Sequence, residues 1–183
     1  MLHQTIEPPM ADLRRPVRLT VMQGQARVSG DPRVELTTVL GSCIACCLFD
    51  PTSNVGGMNH FLLAEPKGGR GVDENYGAYL MEVLINEMLA YGASRAAMRA
   101  HLYGGANMHS GMTRIGSANA AFAISFLEQE RITLVRSSLG GTQARRVDFR
   151  PARGQARFRL VDDAVAPQPI ERPAATRGDV ELF

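Results

Sequence analysis

Residues 36–63 read LTTVLGSCIACCLFDPTSNVGGMNHFLL, and the fold turns on this stretch. Two apolar runs, 36–49 and 55–63, flank Asp50-Pro51-Thr52-Ser53, with Asp first and Pro second as a type I turn prefers. Runs of this length around a turn signal read as the two strands of a β-hairpin. With Asp50 and Ser53 at the ends of the turn, Phe49 opposes Asn54 and Cys43 opposes His60. Directly opposed residues have Cβ atoms roughly 4.5–5.5 Å apart, close enough for a thiol and an imidazole to share a proton. A bulge at Gly56-Gly57 would shift that register.

Working outward, Val17, Leu19 and Val21 alternate with polar residues and predict a first strand. Residues 74–91 carry Tyr76, Leu80, Val83, Leu84 and Met88 at helical spacing, with Asp73 as a cap and Gly92 as the stop. A strand over 97–103 leads to the loop Gly104-Gly105-Ala106-Asn107, and a second helix runs over about 117–130. Strands at 132–137, 146–150 and 155–161 follow, separated by Gly140-Gly141 and by a turn at Pro151–Gly154. The expected fold class is α/β with an α+β tendency: a single-domain layered sandwich of mixed β-sheet with two main helices. The Cys-His hairpin sits at its active site. Proline-bearing segments bracket this domain, 1–16 as a flexible N-terminal arm and 162–183 as a disordered tail, leaving 17–161 as the folded part.

The totals limit the function classes. A hydrophobic fraction of 45% and a charged fraction of 21% in 183 residues suit one globular domain. A net charge of +2 without a dense basic cluster gives no electrostatic case for nucleic acid. No segment approaches the roughly 18 apolar residues of a membrane span, so no membrane insertion is expected. The first residues lack an uninterrupted apolar stretch, so neither is a signal peptide, and the expected location is cytoplasmic. Cys43, Cys46 and Cys47 lie within five positions, an odd and clustered set that suits reduced thiols better than a disulfide framework.

A free thiol near pKa 8.5 becomes a strong nucleophile when an adjacent imidazole takes its proton. Gly41 and Ser42 suit a tight bend whose N–H groups could stabilise an oxyanion, so reaction at a carbonyl is the natural use of the set. Blander readings stand beside this one. A strand cysteine is more often a small hydrophobe than a nucleophile. Cys46 and Cys47 read as packing residues, with Cys46 on the face away from His60. Cys43 and Cys46 have C-x-x-C spacing, but a zinc site needs a second ligand pair and a thioredoxin-like motif opens a helix. No metal is therefore expected. His3, His101 and His109 read as inert, packed and solvated, and the arginines of 145–159 as the solvated face of a sheet.

The string Thr37-Thr38-Val39-Leu40-Gly41-Ser42-Cys43, with Asp50-Pro51 and Gly57-Met58-Asn59-His60, resembles the CheD family of chemoreceptor glutamine deamidases. Gly104-Gly105-Ala106-Asn107-Met108, Ile115-Gly116 with Asn119, and Gly140-Gly141 with Arg145 agree in order, so the resemblance covers residues 17–161. It implies a triad of Cys43, His60 and Thr37, with Thr38 as an adjacent hydroxyl, and substrate contacts at Gly41, Ser42 and Asn59. It implies a cysteine hydrolase of the protein-glutamine glutaminase type, working through a thioester without a cofactor. The substrates would be methyl-accepting chemotaxis receptors, in chemotaxis adaptation. Hydrolysis of glutamate methyl esters and pairing with a CheC-type phosphatase belong to the same resemblance. A non-catalytic binding module and a Cys43–Cys46 redox protein are the competing readings.

Overall fold

The computed structural model describes residues 15–63, 75–108 and 115–161. The expected arm at 1–16 and tail at 162–183 lie outside the described residues, apart from residues 15 and 16. The elements in chain order are β1 (Val17–Thr20), β2 (Gln25–Ser29), β3 (Val34–Leu40), β4 (Ile44–Asp50), β5 (Val55–His60), α1 (Asn75–Ala90), β6 (Arg99–Gly104), α2 (Ile115–Gln129), β7 (Thr133–Leu139), β8 (Ala144–Arg150) and β9 (Gln155–Val161). They build one α+β domain.

The strands form two sheets, β1-β3-β8-β9 and β2-β5-β4-β6-β7. Each is mixed: β1 runs parallel to β3 and β6 to β7, and the other neighbours pair antiparallel. Successive side chains of a strand point to opposite faces, and β4 shows what that means here. Cys46 and Leu48 pack with Leu84, Met88 and Phe126 of the two helices, while Ala45 and Cys47 pack with Leu36, Leu40 and Phe149 of the other sheet. The five-stranded sheet is thus covered on both faces, which explains the unbroken apolar run of its central strand. The order of layers is helices, five-stranded sheet, four-stranded sheet.

One strand is added and two expectations change. The segment Gln25–Ser29, which carried no prediction, is the edge strand β2; Ala26 and Val28 pack toward the helix-side core. The hairpin register is displaced by two residues. Asp50 pairs with Val55 and Cys47 with Met58, so the turn holds four residues, Pro51–Asn54. Two-residue hairpins need primed turns with positive φ after the first strand, which Pro51 cannot adopt; a four-residue loop accommodates it. The Asp50 carboxylate accepts from Thr52 N–H, Thr52 Oγ1 and the distant Ser94 N–H, and Asn54 closes the turn at φ 55°. Arg145, moreover, is not on a solvated face. It is buried, and its guanidinium donates to Ser138 Oγ, Gln143 O and Gly140 O.

Candidate active site

The displaced register removes the direct opposition of Cys43 and His60 but leaves them on one face. Cys43 lies just before β4, and Ile44 next to it bridges Phe61 through hydrogen bonds of 2.9 Å in both directions. Cys43 and His60 then stand diagonally across the ladder, where neighbours are roughly 7–8 Å apart. Cys43 and Met58, two residues before His60 on the same strand, both join the core between the two sheets, so the thiol and the imidazole belong to the inter-sheet layer.

His60 is buried, and its Nδ1 lies 2.9 Å from Thr38 Oγ1 and 3.3 Å from Val21 O. The single hydroxyl proton of Thr38 is donated to Val21 O at 2.8 Å. Thr38 Oγ1 can therefore only accept from Nδ1–H, and this tautomer leaves Nε2 a bare lone pair. Nε2 is buried and has no hydrogen-bond partner among the described residues.

The hydroxyl on the imidazole belongs to Thr38, and Thr37 is elsewhere. In β3, Leu36, Thr38 and Leu40 share a face; Leu36 and Leu40 lie in the inter-sheet core. Thr37 points to the outer face, where its hydroxyl donates to Asp148 Oδ1 at 2.8 Å beside Arg18 and Arg157. The expectation of Thr37 beside His60 is corrected by strand alternation. That signal was available in the alternation of Leu36 and Leu40 around Thr38.

Asn59 is likewise not at the site. It occupies the opposite face of β5 and is fully buried. Its Oδ1 accepts from Cys46 N–H at 3.0 Å and its Nδ2 donates to Leu80 O at 3.1 Å, so both ends of the amide are engaged in binding α1 to the sheet. Asn59→Ala strands the buried Cys46 N–H and removes the amide tie between α1 and the sheet, while Leu80 O keeps its partner within the helix. A loss of about 3 kcal/mol is expected, read as a fall of about 10 °C in the unfolding midpoint.

The bend at Gly41-Ser42-Cys43 is held by all three of its carbonyls. Gly41 O accepts from Ala106 N–H at 2.9 Å, Cys43 O from Gly105 N–H at 2.8 Å, and Ser42 O from Asn119 Nδ2 at 2.7 Å. Asn119, which carried no predicted role, also accepts from Leu63 N–H through Oδ1. In a trans peptide the C=O and the following N–H point oppositely. Fixing the carbonyls of Gly41 and Ser42 on the loop side therefore turns the N–H groups of Ser42 and Cys43 away from it. The close approach requires Gly104, at φ 112°, where a Cβ would fall 2.0 Å from Cys43 O. The loop at Gly140, bonded to Arg145, supports this strap through Gly140 N–H to Gly104 O.

Burial pushes the Cys43 thiol up to about 12, opposed by its own backbone N–H, and pulls His60 down to about 4, opposed by the Val21 carbonyl. Both groups are neutral near pH 7. Cys46 and Cys47 are fully buried, burial raising both thiols, and His101, also lowered by burial, stacks on Phe49. The described residues hold no group of three or more His, Cys, Asp or Glu suited to a metal, and no helix long and apolar enough to cross a membrane. An imidazole near 4 in the fold and near 6.5 when unfolded makes the unfolded chain the stronger proton binder between these values. Stability therefore falls as pH falls from 6.5 to 4, by roughly 3 kcal/mol for His60. Urea midpoints across that range are expected to drop, and His60→Gln to flatten much of the slope.

The model of the family described as CheD chemotactic sensory transduction matches residues 62–160. That stretch begins just after His60, while full-length relatives span nearly the whole chain. A protein of Caulobacter vibrioides (strain NA1000 / CB15N), named "Probable chemoreceptor glutamine deamidase CheD", is 51% identical over 180 residues, 94% of this chain and 96% of its own length. A protein of Zymomonas mobilis with the same name is 54% identical over 170 residues, 91% of this chain and 92% of its own. A solved structure from Neisseria meningitidis, protein NMB0706 of family-model DUF152, reaches a TM-score of only 0.47 at 12% identity, over 70% of this chain and 65% of its own, and carries no argument.

Proposed function

The chain belongs to the CheD family, and we propose that it is a cysteine amidohydrolase that converts glutamines of chemotaxis receptors to glutamate. The observation that carries this reading is the buried His60, with Nδ1 held by Thr38 and Nε2 unpartnered, on the face it shares with Cys43. The neutral pair sets the order of proton transfers. Nε2 takes the proton of Cys43 Sγ as sulfur attacks the side-chain amide carbon, so charge separation coincides with bond formation. The N–H groups of Ser42 and Cys43, turned away from the supporting loops, receive the developing oxyanion. The imidazolium is stabilised by Thr38 Oγ1 and Val21 O, then gives its proton to the departing ammonia, leaving a glutamyl thioester. Water activated by Nε2 hydrolyses the thioester, and the sum is glutamine plus water to glutamate plus ammonia.

In this mechanism Thr38 is the third member, Thr37 anchors the outer face of β3, and Gly41 and Ser42 shape the oxyanion site. No metal or cofactor takes part. The same intermediate accepts a glutamate methyl ester, with methanol leaving in place of ammonia. We place the protein in the cytoplasm, acting in chemotaxis adaptation, with a CheC-type phosphatase as a candidate partner. Peptide mass spectrometry on a purified receptor cytoplasmic fragment, before and after incubation with the protein, tests the reading. Glutamine-to-glutamate conversion at discrete positions is expected; no conversion on any cognate receptor overturns it.

A further inference from the structure

One side chain at the nucleophile has no part in the mechanism above. Gln23 lies in the turn between β1 and β2, and its Oε1 is 3.7 Å from Cys43 Sγ. The backbone of that turn is anchored on both sides: Val21 N–H donates to Thr37 O at 2.9 Å, Gly24 N–H to His60 O at 2.7 Å, and Gln25 N–H to Met22 O at 3.0 Å. Met22 N–H is held as well, by Gln25 Oε1. With these main-chain groups held, the partly exposed Gln23 side chain can turn about its own bonds without disturbing the turn. Its contact is weak, because a thiol is a poor donor. The group it presents is a primary carboxamide, the functional group that Cys43 must receive from a receptor.

We propose that Gln23 is an internal stand-in for substrate: its carboxamide occupies the place of the receptor glutamine's amide beside Cys43 and is displaced when that glutamine enters. The proposal rests on the deamidase reading, which supplies the carboxamide as the natural occupant. Oxygen faces sulfur in the resting contact, so the carbonyl carbon of Gln23 is not presented for attack and the stand-in persists unreacted. Release needs only rotation about the side-chain bonds of Gln23 while the hydrogen bonds of the turn stay intact. A stand-in lowers apparent affinity by the fraction of molecules in which it is seated, and its removal restores that affinity.

The test compares wild type, Gln23→Ala and Gln23→Met, each checked for unchanged thermal unfolding. The first readout is the rate of Cys43 alkylation by iodoacetamide at fixed pH, located by peptide mass because Cys46 and Cys47 are also present. Gln23→Ala is expected to react about fivefold faster, the factor that one weak hydrogen bond commands. Gln23→Met, which keeps the bulk without the amide, falls between. The second readout is KM for the receptor fragment, expected to fall about fivefold in Gln23→Ala. Unchanged or slower alkylation in Gln23→Ala overturns the stand-in, and so does a raised KM, which would make Gln23 a substrate contact. Alkylation needs no receptor, so it decides the occupancy of the site even if the wild-type protein deamidates nothing.

Discussion

A Cys43→Ala protein is expected to unfold within a few degrees of the wild type and to lose receptor deamidation by at least roughly 10⁴-fold in kcat. Under the proposed mechanism the loss follows from the role of sulfur: Cys47, the other thiol on this face, is fully buried in the core, and water alone lacks the nucleophilicity of a thiol. The small stability change follows from position. Cys43 is half-buried at the rim of the inter-sheet core, and its bend is held by backbone carbonyls that alanine leaves in place. Cys46→Ala and Cys47→Ala give the complementary result. Their thiols are fully buried among core side chains, so they cost stability and spare the chemistry. Receptor peptide mass spectrometry read against thermal unfolding separates the two patterns. Conversion by Cys43→Ala within tenfold of wild type would remove the cysteine mechanism.

The second large effect concerns the imidazole and its anchor. His60→Gln is expected to lower kcat by roughly 10³-fold, the range of a positioned general base. Thr38→Val, which preserves volume while deleting the acceptor for Nδ1–H, is expected to lower kcat by roughly 10–100-fold with KM little changed. Without that oxygen the ring can rotate or switch tautomer, and Nε2 is no longer reliably bare. Thr37→Val should change kcat by less than threefold, because its hydroxyl serves Asp148 on the outer face of the sheet. Single-turnover deamidation with the three variants decides the assignment. A Thr37→Val loss equal to that of Thr38→Val would return the third role to Thr37.

Local signals carried much of this far. The strands around Asp50-Pro51 and the two helices are legible because periodicity and turn chemistry act over a few residues; the direct opposition expected of Cys43 and His60 is replaced by a diagonal one. The exchange of Thr38 for Thr37 was legible too, since Leu36 and Leu40 mark the buried face of β3 and Thr38 lies between them. What misled was the motif spacing, which counts residues and ignores faces. Strand β2 is five residues at a sheet edge with two small apolar side chains, too short a pattern to stand out.

The hairpin register marks the boundary. Pro51 excludes a two-residue turn, a local steric fact, but the carboxylate that shapes the longer loop is also held by Ser94 N–H from another part of the fold. Arg145 reads as one more sheet arginine until the loop at Gly140 folds over it.

By itself, then, the sequence determined the layered α+β class and the faces on which strand side chains fall, because a strand's period of two is written residue by residue, and it singled out Cys43 and His60 as the candidate nucleophile and base. Only the tertiary structure decided that Val21 O and Thr38 set the tautomer of His60, that Asn119 and the Gly104 loop aim the Cys43 bend, and that Gln23 meets the thiol. Those partners come from segments 17 to 77 residues apart, and no local pattern records which strand edges and sheet faces will meet.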